Sequence, residues 1–411
     1  MPFVDLSGNL AQERDSTVTS FLEQESCQPF NLTQGPPIRV HLVKLEEDRH
    51  LLVLTAHHII VDGLSMSLII QEMGAFYSAA CQRITCQLEP PLQFRDYVGW
   101  QTLQTTEMAA QEAYWLDKFA ESIPVLNLPT DHLYPPIRSY RGNRQTVRLK
   151  ALLCQNLKAL SRKQGCTAFM TFLSAYTIWL YRITGQNDIL VGIPVAGRNL
   201  EGRDNLVGYC THLLPIQTHI AGPEIFLAYL KTIRGILLDA YEHQDYPFAN
   251  LINQLNLPRQ SSHTPLVSVT FNLDKPSELP KLFELEVEWF SQPLHFTAFD
   301  LSINLTDIGD ELVLDCDYNT DLFNATTIER FVEHFQVLLE GIVSNPTQSL
   351  SQLPLLTETE QQQLIAWNQT ETDYPVDKTI VDLFQEQVDK TPSNLAVVFE
   401  GQSLTYQALN F

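Results

Sequence analysis

The run His57-His58-Ile59-Ile60-Val61-Asp62-Gly63 gathers two imidazoles, a carboxylate and a glycine into one short stretch. An imidazole titrates near neutral pH, so it can take a proton from a reacting group or hold that group in place. Asp62 lies where the chain can bend back toward His58. Buried, it would hold the turn by pairing with an arginine; exposed, it would cap the next helix. Gly63 lets the backbone turn sharply and leaves its N–H open to a reacting group. The apolar run Leu51–Ala56 precedes this segment, and neighbouring side chains on a strand face opposite ways. His57 and His58 therefore do not both serve one site: one faces a cleft and the other braces the turn. A purely structural histidine at a strand end is the plain alternative. A metal site lacks a third ligand nearby. A serine-histidine-aspartate triad lacks its Gly-x-Ser-x-Gly elbow.

The elements around the segment follow from periodicity. Ile38–Leu45 and Leu51–Ala56 read as paired strands across the polar Glu46-Glu47-Asp48-Arg49. Leu64, Leu68, Ile69, Met73, Phe76 and Tyr77 recur at helical spacing, and a second helix is predicted over Thr105–Phe119. Pro124, Pro129, Pro135, Pro136 and Gly142 then mark a connection between two lobes. Beyond it, strands are predicted at Thr146–Leu149, Ile189–Val195, Leu213–Thr218, Leu266–Leu273, Leu285–Trp289 and Leu312–Asp317. Helices are predicted at Ala151–Lys163, Thr167–Ile183, Glu224–Tyr241 and Ala325–Ile342. Strands and helices mixed in both halves argue for two α/β sandwich lobes. From Ser344 the chain turns polar through Thr357–Gln363, as a linker would. A helix at Ile380–Val388 and a strand at Leu395–Phe399 follow, and the pattern is cut at Phe411.

Composition bounds the function. With 44% hydrophobic residues the chain can bury a sizeable core. Its 26 basic against 48 acidic residues give a net charge of −22, which argues against nucleic acid as a partner. Arg138, Arg141, Arg144 and Arg148 are a local exception, read as a solvated linker and strand edge or, less simply, as a contact for a phosphate-bearing partner. Seven cysteines without paired or metal-ligand spacing fit reduced thiols in the cytoplasm. No window has the length of a membrane span, and no signal peptide opens the chain.

The stretch Ala56–Ser65 (AHHIIVDGLS) resembles the active-site motif of condensation domains in nonribosomal peptide synthetases. Later segments resemble that family's motifs in its order: Phe94–Trp100 (FRDYVGW), with Phe94 where tyrosine is usual, Val195–Asn199 (VAGRN), Val207–Ile216 (VGYCTHLLPI), His243–Phe248 (HQDYPF) and, loosely, Arg259–Leu266 (RQSSHTPL). Leu364–Pro375 resembles the family's exit linker and Leu404–Asn410 (LTYQALN) the first motif of an adenylation domain. Leu64 stands where an aromatic often follows the motif's glycine. The family's opening motifs are absent, so the resemblance implies a first lobe incomplete at its start.

The resemblance implies two chloramphenicol-acetyltransferase-like α/β sandwich lobes, a pseudodimer with an active-site tunnel between them. The implied division is 1–122 for the first lobe, 123–145 for the connection, 146–345 for the second lobe, 346–376 for a linker and 377–411 for the start of an adenylation domain. The implied reaction joins a carrier-bound acyl or peptidyl thioester to the amine of a carrier-bound aminoacyl group. His58 would accept the amine's proton or position the amine, with Asp62 and Gly63 beside it, His57 supporting, and Arg198 as the partner of Asp62. The chain itself would bind no cofactor and no metal; phosphopantetheine arms would come from an upstream donor and a downstream acceptor carrier domain, and an adenylation domain would adjoin. An epimerisation domain shares the His-His-x-x-x-Asp-Gly motif and is the nearest rival. A free-standing acyltransferase would lack the adenylation-like tail. A non-catalytic platform that recruits partners is a third reading.

Overall fold

A short strand, Phe3–Asp5 (β1), pairs in parallel with Ile38–Lys44 (β2), which pairs antiparallel with His50–Ala56 (β3). The helix Ala11–Cys27 (α1) lies between β1 and β2, and its Val18 and Leu22 pack on Val43 and Val53 in a small apolar cluster. Neither β1 nor α1 is expected from the sequence. β1 is very short, and α1 is mostly polar (AQERDSTVTSFLEQESC). The computed structural model describes residues 1–103, 105–198, 205–257, 262–290, 294–373 and 375–410. Within the resembling segments, Asn199, Arg259, Gln260, Ser261 and Tyr374 lie outside the described residues.

Three helices follow β3: Gly63–Gln82 (α2), Phe94–Leu103 (α3) and Thr105–Lys118 (α4). The larger part of the chain is built on a six-stranded mixed sheet. Its elements are Gly142–Leu149 (β4), Ala151–Lys163 (α5), Ala168–Thr184 (α6), Asp188–Val195 (β5), His212–His219 (β6), Phe226–Glu242 (α7), Phe248–Gln254 (α8), Val269–Asp274 (β7), Leu301–Asp307 (β8), Leu312–Asn319 (β9) and Ala325–Ser344 (α9). The strand order is β4-β9-β8-β7-β5-β6, parallel at β5–β7 and β7–β8 and antiparallel elsewhere. Helix α6 is buried on all sides from Met170 to Leu180, as expected of a helix enclosed within a core. Its buried serine and threonine hydroxyls find partners: Ser174 Oγ donates to the Met170 carbonyl at 2.7 Å, and Thr177 Oγ1 meets Tyr229 Oη at 2.8 Å. The mixed α/β architecture is the one expected.

Several local expectations are corrected. Leu285–Trp289 is no strand; it makes one bridge, Leu282↔Leu285, within a long β7–β8 connection. That connection runs beside α2 instead. Ser67, Gln71, Gly74 and Ser78 share one helical face. Ser67 Oγ meets Ser277 Oγ at 2.7 Å, and Gln71 Nε2 donates to the Glu278 carbonyl at 2.6 Å. Ser78 Oγ donates to the Lys281 carbonyl at 3.2 Å and accepts from Phe283 N at 2.9 Å. Strand β8 is unexpected because Ser302, Asn304, Thr306 and Asp307 dilute its apolar pattern. Helix α4, placed by sequence in the first lobe, puts Trp115 into the core of the large sheet, and Phe119 joins it just past the helix end.

The chain forms two compact units, Met1–Thr357 and Glu358–Phe411. Residues 346–357, read from composition as linker, belong to the first. Leu350 N donates to the Glu224 carbonyl at 2.8 Å, and Leu350 and Leu353 are fully buried. The stretch read as exit linker forms a helix, Glu358–Trp367 (α10). The second unit continues with Ile380–Lys390 (α11), an antiparallel pair Leu395–Phe399 (β10) and Gln402–Thr405 (β11), and Tyr406–Leu409 (α12). Among the described residues no helix is long and apolar enough to cross a membrane. The corrected boundary makes a prediction: Leu350→Ala and Leu353→Ala should each lower stability by about 2–5 kcal/mol in urea unfolding, whereas true linker residues would show almost no change.

Candidate active site

Strand β3 ends at Ala56, and the backbone then turns: His57 N donates to the Pro37 carbonyl at 2.9 Å, and Ile60 N to the His57 carbonyl at 3.1 Å. The two histidines diverge because of this turn, not through strand alternation. His57 Nδ1 accepts from Ile59 N at 3.0 Å, and its ring meets Phe30 edge-on at 5.9 Å. The Arg39 guanidinium covers Phe30 at 3.9 Å and is itself held by Glu25, so His57 sits in a structural bracket. His58 is exposed, and its Nδ1 lies 2.6 Å from the Val61 carbonyl. A carbonyl oxygen only accepts, so Nδ1 carries the proton and, in the neutral ring, Nε2 presents a bare lone pair. The ring also meets Tyr209 edge-to-face at 5.1 Å.

Asp62 does both things that its position allows. It caps α2 by accepting from Ser65 N at 2.9 Å, and it is buried against Arg198, whose Nη1 and Nη2 donate to its two oxygens at 2.9 and 2.8 Å. Ser65 Oγ at 2.8 Å, Cys210 N at 3.0 Å and Thr211 Oγ1 at 3.3 Å complete its contacts. Burial alone would raise its pKa, but the Arg198 guanidinium and the N–H groups of Ser65 and Cys210 outweigh it and hold the carboxyl at about 2. A carboxylate so saturated has no free lone pair for a substrate proton.

Arg198 reaches this place through two glycines. Gly197 has φ +63°, and a Cβ there would lie 1.9 Å from the Cys210 carbonyl oxygen, so only glycine fits before the arginine. Gly208 abuts the Phe94 ring; a Cβ would lie 2.1 Å from its Cδ2. Ser65, which sequence reasoning does not single out, ties the arrangement together. Its Oγ accepts from Arg198 Nη2 at 2.8 Å and from Gly208 N at 3.0 Å, and lies 2.8 Å from the Gly208 carbonyl. The available signal is its spacing, three residues beyond an N-cap aspartate. Gly63 departs from its expected role. Its φ is not in the left-handed region, and a Cβ would meet nothing within 4 Å, so the turn does not require glycine. It stands exposed as the first residue of α2.

The remaining motif residues build walls. Tyr97 Oη lies 3.2 Å from His212 Nε2, and burial lowers the His212 pKa. Trp115 Nε1 donates to the His243 carbonyl at 2.8 Å, Tyr114 stacks on His243 at 3.9 Å, and Tyr246 Oη donates to Glu112 at 2.7 Å, so HQDYPF fastens α4. Pro247 stands just before α8 as its N-cap. His263 stacks on Tyr134 at 4.0 Å, and Tyr134 donates to Asp300 at 3.0 Å. Three of the four arginines are engaged by carboxylates, Arg138 buried at 3.4 Å from Asp300, Arg144 paired with Asp317 and Arg148 with Glu311, while Arg141 is exposed. Among the described residues no three His, Cys, Asp or Glu side chains converge as a metal ion would require.

The buried pair carries a prediction. Arg198→Leu should cost about 3–5 kcal/mol, because Asp62 is left charged and unpartnered, and Arg198→Lys should recover only part of that. Because the folded-state pKa of Asp62 is depressed, its contribution is complete above the ordinary 3.8 and fades as pH falls toward about 2. Acid titrations of unfolding should show that component in the parent chain and not in Asp62→Asn.

A family model described as "Condensation domain" matches residues 2–365. A linear gramicidin synthase of Brevibacillus parabrevis is 39% identical over 99% of this chain, which spans 5% of that protein. Surfactin synthase subunit 1 of Bacillus subtilis (strain 168) is 37% identical over 93% of this chain, which spans 11% of it. The chain thus corresponds to a small part of these curated relatives. Among solved structures, the X-domain from teicoplanin biosynthesis aligns with TM-score 0.79 and 23% identity over 87% of this chain and 81% of that one. A four-domain nonribosomal peptide synthetase bound to AMP and glycine aligns with TM-score 0.76 and 20% identity over 100% of this chain and 32% of that one. At such identities the likeness concerns the fold alone. On the family match and the relatives together, this chain belongs to the condensation-domain family of nonribosomal peptide synthetases.

Proposed function

We propose that this chain joins two carrier-borne substrates, with His58 at the centre of the reaction. The α-amine of an aminoacyl group on a downstream carrier attacks the carbonyl carbon of an acyl or peptidyl thioester on an upstream carrier. A C–N bond forms and the C–S bond breaks; the amine gives up one proton and the departing thiol takes one. The observation that carries this reading is the hydrogen bond from His58 Nδ1 to the Val61 carbonyl, 2.6 Å, which leaves Nε2 free to accept that proton or to hold the amine in line. An α-amine has an ordinary pKa near 7.7–8.0, so about a tenth is already neutral at pH 7. The demand on His58 as a base is modest, and positioning shares the work.

The phosphopantetheine arms are substrates of this chemistry, brought by the carriers to a tunnel between the two lobes from opposite faces. Gly63, with no side chain at the exposed start of α2, leaves room for an arm, and its N–H, at the first helical position, has no acceptor within the helix. The second unit is the beginning of an adjoining adenylation domain, a reading supported by Leu404–Asn410. That tail also favours condensation over epimerisation, since condensation domains normally precede adenylation in a module. Seven cysteines without a disulfide accord with work in the cytoplasm.

Two variants test this reading. With loaded donor and acceptor carriers, His58→Ala should slow formation of condensed product on the acceptor by about 10²–10⁴-fold, followed by intact-protein mass spectrometry. Unfolding should be little changed, because the side chain is exposed. Product formation that ignores His58 would end the reading; a racemised donor with both carriers still loaded would establish epimerisation instead. Gly63→Leu should leave stability equal or up to about 1 kcal/mol higher, since leucine favours helix more than glycine does. It should nevertheless reduce product at least tenfold, by occupying the space kept for the arm.

A further inference from the structure

His58 is held on two sides by different parts of the fold. One support is local, the Val61 carbonyl. The other is Tyr209, from the β5–β6 connection of the large sheet, whose ring meets the imidazole edge-to-face at 5.1 Å and 88°. An imidazole anchored by a single hydrogen bond still swings about that bond, so a second contact is needed to fix the plane of the ring. Tyr209 itself is anchored through its neighbours. Gly208 is gripped through both its N–H and its carbonyl by Ser65, at 3.0 and 2.8 Å, and the Cys210 N–H donates to Asp62 at 3.0 Å. Ser65 and Asp62 belong to the start of α2, immediately after the histidine turn. The backbone on each side of Tyr209 is therefore pinned to the segment whose histidine it steadies. The ring is not a core residue: 46% of its surface is exposed.

We propose that Tyr209 is a positioning residue for His58, and that the clamp between Asp62, Ser65 and Arg198 acts on the reaction through it, making the orientation of the histidine depend on the docking of the large sheet's β5–β6 connection. The rate consequence rests on the condensation reading above; the orientation of the ring does not. A tyrosine contributes an aromatic edge here, so phenylalanine should replace it and alanine should not.

The test uses the full chain with ¹⁵N-labelled histidine. NMR of the imidazole nitrogens reads the tautomer of His58, and condensation between loaded carriers reads the rate. In Tyr209→Ala the ring should lose its single Nδ1-protonated form and populate both tautomers, and kcat should fall about tenfold or more with KM for either carrier unchanged. Tyr209→Phe should restore the single tautomer and bring kcat to within about threefold of the parent. A His58 that keeps one tautomer in Tyr209→Ala overturns the proposal, as does a kcat that falls only together with a rise in KM. If the parent chain makes no condensed product, the functional reading fails, while the nitrogen spectra still decide whether Tyr209 orients the ring.

Discussion

A carboxylate that is 2% exposed must be either neutralised or paired, and Asp62 is paired. That requirement organises everything near His58. Arg198 has to be delivered to a fixed point with both nitrogens facing the carboxylate, and this places a left-handed glycine at Gly197 and a close crossing of Gly197 over Cys210. A buried ion pair of this kind adds little net stability compared with apolar residues of equal volume. Its strength is directional: two parallel donors meeting two oxygens admit one relative placement of the partners. The pair thus serves as a register mark between the small sheet, which carries the histidine turn, and the β5–β6 connection of the large one.

Saturating Asp62 also divides the labour within the motif. Held near pKa 2 and surrounded by donors, it cannot exchange a proton with a substrate at neutral pH. His57 is turned toward Phe30 and Arg39. Of the four polar or small residues in the run, His58 alone combines exposure with an unprotonated ring nitrogen, and Gly63 is exposed with open space where a side chain would stand. Neighbours in the chain therefore have separate tasks, and the tasks are set by which direction each side chain leaves a single turn.

Much of this is legible in the sequence, for reasons that vary by element. The long apolar helices α5, α6, α7 and α9 and the strands β5, β6 and β9 carry strong periodic patterns, and their predicted spans lie close to the observed ones. The pairing of Arg198 with Asp62 can be anticipated only from motif resemblance, since 136 residues separate the two. β8 and α1 escape notice because polar residues interrupt their patterns. Leu285–Trp289 misleads because its alternation of Leu, Val and Trp with Glu reads as a strand, although the segment lies largely exposed outside any sheet. The boundary at Ser344 falls in the wrong place because polarity marks exposure of side chains, whereas Leu350 and Leu353 are buried singly between polar neighbours. Ser65 and Tyr209 are beyond reach for another reason: their importance lies in contacts that no local spacing encodes.

Helix α2 is fastened at its start by the contacts of Asp62 and Ser65, and farther along by Ser67, Gln71 and Ser78 to residues 277–283. At about 1.5 Å per residue a helix of its 20 residues spans about 30 Å. Attachments spread over such a length resist sliding in every direction. The helix that begins at the histidine turn is therefore tied to connections of the large sheet at its start and along its length, and the small sheet cannot slide past them without breaking these hydrogen bonds.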